Sequence, residues 1–88
     1  MMTDNLSQSR FELAENGHTA FADYKKEGNL LYIRYVEAPP ALRGSGAAGR
    51  LMEGIVDRAK AEKLKIVPIC GYAAAWLRKH KEYNDLIA

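Results

Sequence analysis

Between Leu30 and Ile69 the hydrophobic period of the chain changes twice, and that succession leaves few folds open. Residues 30–36 read Leu-Leu-Tyr-Ile-Arg-Tyr-Val, apolar or aromatic on both faces apart from Arg34, the pattern of a central strand covered on two sides. Pro39-Pro40 ends that strand, since neither residue donates to a ladder and each restricts the residue before it. Residues 45–63 then place Leu51, Ile55 and Ala59 on one ridge and Met52 and Val56 on the next, while Glu53, Asp57, Arg58 and Lys60 point elsewhere. A short β-branched run follows at residues 65–69. A helix of this length is the usual crossover between parallel strands, so this run is expected to pair parallel to the 30–36 strand.

Upstream, Phe11 and Leu13 alternate with Arg10 and Glu12, and Asn16-Gly17 supplies the signal of a type I′ hairpin turn. Residues 19–25 return with Ala20, Ala22 and Tyr24 on one face and Thr19, Phe21 and Asp23 on the other. Lys26, Glu27, Gly28 and Asn29 make the next turn, which gives an antiparallel three-stranded meander. Downstream, residues 72–81 read as a second helix with Ala73, Ala74, Trp76 and Leu77 inward, and Leu86 and Ile87 end the tail. The fold class is mixed, α/β in its crossover and α+β in its meander. Residues 1–8 are polar and aperiodic and read as a flexible N-terminus, ahead of one domain over residues 9–88.

Eighty-eight residues suffice for one core but make any substrate pocket shallow or shared with a second subunit, so a monomer or homodimer is expected. With 48% hydrophobic and 27% charged residues the chain has the composition of a folded soluble domain. A net charge of +2, with Lys and Arg dispersed, argues against nucleic acid as the main partner. One cysteine, Cys70, excludes an internal disulfide and leaves too few soft ligands for a structural zinc site, so no metal is expected. No apolar run resembles a signal sequence or approaches a membrane span, so the expected location is cytoplasmic, without a membrane partner.

The segment Arg43, Gly44, Ser45, Gly46, Ala47, Ala48 joins the strand pattern to the helix pattern. Its glycines let the backbone turn sharply and approach a ligand without Cβ interference, and the helix behind it aims unpaired N–H groups at the same point. An anion fits there. The competing reading is a plain turn with an N-cap. No Gly-Lys-Ser/Thr follows, so this is not the Walker pattern, and antiparallel strands upstream do not suit a dinucleotide fold.

The order of meander, proline stop, Arg-x-x-Gly-x-Ala turn, helix, short strand and helix resembles the core of the GNAT superfamily of acetyl-CoA-dependent N-acetyltransferases. It is most similar to the minimal single-domain GNAT-like members. The resemblance covers the chain from Phe11 onward. It rests on the segment from Glu37 to Gly46 (Glu-Ala-Pro-Pro-Ala-Leu-Arg-Gly-Ser-Gly), on Val67-Pro68-Ile69-Cys70, and on Ala-Ala-Trp-Leu-Arg-Lys-His at residues 74–80 with Glu82-Tyr83. It implies that Arg43, Gly44, Ser45, Gly46, Ala47 and Ala48 hold the pyrophosphate of CoA, and that the thioester arm lies between the 30–36 and 65–69 strands. Cys70 is then expected near the acetyl group. Tyr35 stands where many of these small relatives carry a histidine, so no histidine base comes from that strand, and Gly71 and Lys81 stand in place of common prolines.

The activity so implied is transfer of an acetyl group to a primary amine of a small molecule or protein. Cys70 is either a nucleophile that carries the acetyl group or a small apolar residue lining the thiol channel. Glu37, ending the strand where the cleft should open, is the carboxylate candidate for base, against a plain solvated charge. Tyr72 is the candidate acid for the leaving thiolate. His80 reads as a helix C-terminal cap, and Trp76 and Tyr83 as packing anchors. Two competing functions use the same residues: a CoA-binding module without turnover, and a small interaction protein whose glycine segment is only a turn.

Overall fold

A computed structural model describes residues 2–88. Five strands form one sheet in sequence order: β1 (Met2–Asn5), β2 (Arg10–Glu15), β3 (His18–Glu27), β4 (Leu30–Glu37) and β5 (Lys65–Pro68). The first four are antiparallel neighbours, and β5 pairs parallel to β4. Helix α1 (Ala47–Glu62) makes the crossover, and helix α2 (Gly71–Lys79) follows β5. The expected meander, parallel pairing and two helices are therefore all present.

Local chemistry explains most boundaries. Asn16 and Gly17 both hold positive φ (51° and 76°), as a two-residue type I′ turn between Glu15 and His18 requires. The following turn is tighter than the four residues expected: β3 continues to Glu27, which pairs with Leu30 across Gly28 and Asn29. Helix α1 begins two residues later than its apolar pattern implied, because Gly46 sits at φ +86°, outside the right-handed helical region. It ends at Lys63 (φ 57°), where the Lys63 N–H meets Ala59 and Lys60 carbonyls and the Leu64 N–H reaches the Ala59 carbonyl at 2.8 Å, a Schellman closure. Helix α2 stops at Lys79, and the His80 ring stacks on Trp76 at 3.8 Å with Nδ1 2.8 Å from the Trp76 carbonyl. His80 is thus the helix C-terminal residue that the sequence reading expected.

Two expectations are corrected. Residues 1–8 were expected to be flexible, yet Met2–Asn5 is an edge strand registered against residues 10–13. Its anchors are side chains: Asp4 accepts from the Tyr24 hydroxyl at 2.6 Å and from Arg58 Nη1 at 3.2 Å, joining β1 to β3 and α1. The second correction concerns β4, which is covered on one face only. Phe11, Ala22, Tyr24, Leu31, Ile33 and Ile66 share one core with Leu51, Met52, Ile55 and Val56 of α1 and Ala73, Trp76 and Leu77 of α2. The opposite face stays open, and Tyr35 and Ile69 on it are 48% and 60% exposed.

Candidate functional site

The cleft originates in one irregularity of β4. Asp23 opposes Tyr35 while its neighbour Tyr24 opposes Ile33, so Arg34 is an extra residue with no partner on β3, a β-bulge. Pairing with β5 covers only Leu30 to Ile33. There the Ile33 carbonyl accepts from both the Ile69 and Cys70 N–H groups at 3.0 Å, and the chain turns away into α2. Beyond the bulge, β4 continues to Glu37 with no strand on that edge. The gap opens between the end of β4 and the start of α2.

Two adjoining cavities fill this gap. One, of about 240 Å³, lies among Tyr35, Val36, Glu37, Ala38, Arg43, Ala48 and Tyr72. The other, of about 350 Å³, lies under the glycine turn against Leu42, Gly44, Gly46, Ala47 and Gly49, and shares Ala38, Arg43, Ala48 and Tyr72 with the first. Together they form one groove from the head of α1 to the end of β4.

The glycine turn is held from three sides. Arg43 Nε donates to the Ala38 carbonyl at 3.1 Å, and the Ser45 hydroxyl donates to the Leu42 carbonyl at 2.5 Å and accepts from the Ala47 N–H at 3.3 Å. Arg50 makes a bidentate pair with Glu15 at 2.7 Å and donates to the Ser45 carbonyl at 3.0 Å. Gly44 and Gly46 adopt φ of +79° and +86°. A Cβ on Gly46 would approach the Arg50 guanidinium to 3.0 Å as well as strain the backbone. Helix geometry leaves the N–H groups of Gly46, Ala47, Ala48 and Gly49 without intrahelical partners, and Ser45 satisfies one of them. The residues that carry the rest line the groove, at the positive end of a sixteen-residue helix.

At the other end, Tyr35 and Glu37 project to the same side of β4, and the Tyr35 hydroxyl donates to Glu37 Oε1. That bond and the carboxylate charge raise the Tyr35 pKa above the ordinary phenol value, so the proton stays on the tyrosine at neutral pH. Tyr72, the second residue of α2, forms the facing wall, and burial raises its pKa too.

Of the residues singled out from sequence, Glu37, Arg43, Gly44, Gly46, Ala47, Ala48 and Tyr72 come together around this groove. Ser45 turns its hydroxyl back into the turn instead. Cys70 stands at the N-cap position of α2, half-buried against the core and outside the groove walls, with its N–H on the Ile33 carbonyl at 3.0 Å. The sequence reading missed Tyr35 as a partner of Glu37. Its signal was the two-residue spacing along a strand, which puts both side chains on one face. Among the described residues no group of three His, Cys, Asp or Glu side chains is placed to hold a metal ion, and no helix is long and apolar enough to cross a membrane.

An antiparallel sheet ending in a parallel strand–glycine turn–helix–strand unit, opened by a bulge into a groove at the helix head, defines a class of mixed-sheet α/β domains. The family model described as GCN5-related N-acetyl-transferase matches residues 10–86, and the chain belongs to that family. The fold agrees with the solution NMR structure of a GCN5-like protein from Staphylococcus aureus, itself named as a candidate N-acetyltransferase. The two share 23% identity at a TM-score of 0.78, over 100% of this chain and 87% of that one. No curated protein matches the sequence.

Proposed function

We propose that this acetyltransferase domain takes acetyl-CoA as donor and acetylates a primary amine at the end of β4. The observation that carries the reading is the continuous groove with unpaired N–H groups at one end and the Tyr35–Glu37 pair facing Tyr72 at the other. The N–H groups of the glycine turn and first turn of α1 suit a pyrophosphate, with Arg43 beside them. Acetyl-CoA supplies a thioester, an acetyl group activated toward amines. Its arm would lie along β4 beyond Ile33, where backbone N–H groups lack a strand partner and are available to polarise a carbonyl.

Glu37 then accepts the proton that the amine loses as its nitrogen bonds to the acetyl carbon. Tyr72, protonated at neutral pH, gives a proton to the sulfur as the carbon–sulfur bond breaks. The products are the N-acetyl amine and free CoA. The seat of Cys70 where β4 parts from β5, its N–H on the Ile33 carbonyl at 3.0 Å, supports one second reading, in which Sγ first takes the acetyl group as CoA leaves and then passes it to the amine. Cys70→Ala separates the two, since full activity in that variant leaves direct transfer alone.

The test is release of free thiol from acetyl-CoA in the presence of a panel of primary amines. Glu37→Gln should lower kcat by about 10²-fold or more, the usual range for losing a general base, with acetyl-CoA affinity unchanged by calorimetry. Unchanged kcat would remove Glu37 from the mechanism, and failure of the native protein to bind acetyl-CoA would overturn the donor.

A further inference from the structure

We infer that the acceptor is a small amine that also carries a carboxylate, and that Arg34 holds that carboxylate. The inference rests on the acetyl-transfer reading and concerns the open face of the sheet next to the groove. The bulge puts Arg34 and Tyr35 consecutively on that face, because Ile33 before them and Val36 after them turn toward the core side while Tyr35 opposes outward-facing Asp23. A cavity of about 470 Å³ lies there, bounded by Gln8, Ser9, Arg10, Asp23, Arg34 and Tyr35. Its volume falls within the range of small-molecule sites. Tyr35 forms a wall of this cavity and of the groove that ends at Glu37, so the two spaces flank one residue.

The charges in this cavity do not balance internally. Arg10 is committed to Asp23 at 2.9 Å and lies over the Phe21 ring at 4.0 Å. Arg34 has no carboxylate within ion-pair distance among the described residues. One uncommitted guanidinium beside a neutral pair calls for a single negative charge, and its planar fork matches a carboxylate. The Asp23 carboxylate in the same wall disfavours a phosphate dianion. An acceptor seated with its carboxylate on Arg34 extends past Tyr35, and its amine then reaches Glu37.

The test uses pairs of primary amines alike except for the carboxylate, 6-aminohexanoate against hexylamine and lysine against cadaverine, titrated into the CoA-saturated protein. Amide chemical shifts of Ser9, Asp23, Arg34 and Tyr35 report occupancy. The carboxylate member of each pair should bind about tenfold more tightly, the scale of one charged hydrogen bond, and Arg34→Gln should erase that preference without changing CoA affinity. Equal binding of the two members, binding of neither, or a preference that survives Arg34→Gln would each overturn the inference. Loss of CoA binding in the native protein would instead overturn the donor assignment on which it rests.

Discussion

Tyr24 is the residue on which the N-terminal half depends. Its ring stacks on Phe11 at 4.3 Å, and its hydroxyl donates to Asp4, which also binds Arg58. Burial, helped by Asp4, pushes its pKa up to about 12. Below pH 10 the phenol is protonated whether folded or unfolded, so this contribution is fully present. Between pH 10 and about 12 the unfolded chain gives up its proton first, and stability falls as pH rises. Tyr24→Phe should therefore cost about 1–2 kcal/mol at pH 8, from loss of a hydrogen bond to a charged group. It should also lose less stability than the native protein on going to pH 11.5. Urea midpoints of both proteins at the two pH values check this, and parallel pH profiles would contradict it. Sequence made the inward face of Tyr24 legible through its spacing with Ala20 and Ala22, and made Glu37 legible through its place at a strand end. The hydroxyl's partner was not legible, because Asp4 lies in a tetrapeptide whose single apolar residue, Met2, sets no period.

Among the elements, β1 and the β4 bulge escaped sequence reading for different reasons. Strand β1 is short and polar and is held by Asp4 and by Met2, not by an alternating apolar face. The bulge leaves no mark in a run that is apolar on both sides of Arg34. The seat of β1 on α1 makes a specific prediction at Gly54, in the middle of that helix. A Cβ there would come within 2.9 Å of Met2 Sδ and 3.1 Å of Met2 Cβ. Gly54→Ala should gain up to about 1 kcal/mol of helix propensity while displacing Met2 and loosening β1. In a Met2→Ala background the clash is gone and the same substitution should stabilise. The two changes are therefore non-additive, and a double-mutant cycle in urea, with amide exchange at residues 3–5 reporting on β1, measures the coupling. Additive effects with unchanged exchange would mean that Met2 does not pack on Gly54.

For the whole molecule, the arrangement that matters is a sheet with both helices on one face. The apolar and aromatic side chains of β4 resembled those of a strand buried twice, yet Tyr32, Tyr35 and Glu37 belong to the face that the helices leave open. That face carries the proposed acceptor cavity, while the donor groove runs through the edge between β4 and α2. The groove draws its walls from β4, the glycine turn, α1 and α2, elements brought together only by the complete fold. A ligand bound there has no site on the unfolded chain and stabilises by mass action, about 2.7 kcal/mol at 100 times its Kd. For a domain of this size, CoA at that concentration should raise the unfolding midpoint by on the order of 10 °C. Ala48→Glu isolates the cause. It sets a carboxylate on the first turn of α1, where the helix dipole favours it, so the free protein should keep its midpoint within a few degrees. The same charge occupies the place expected for the pyrophosphate and should abolish the CoA-induced rise. Differential scanning calorimetry of the two proteins with and without CoA decides the matter: an undiminished rise in Ala48→Glu would place CoA away from the head of α1.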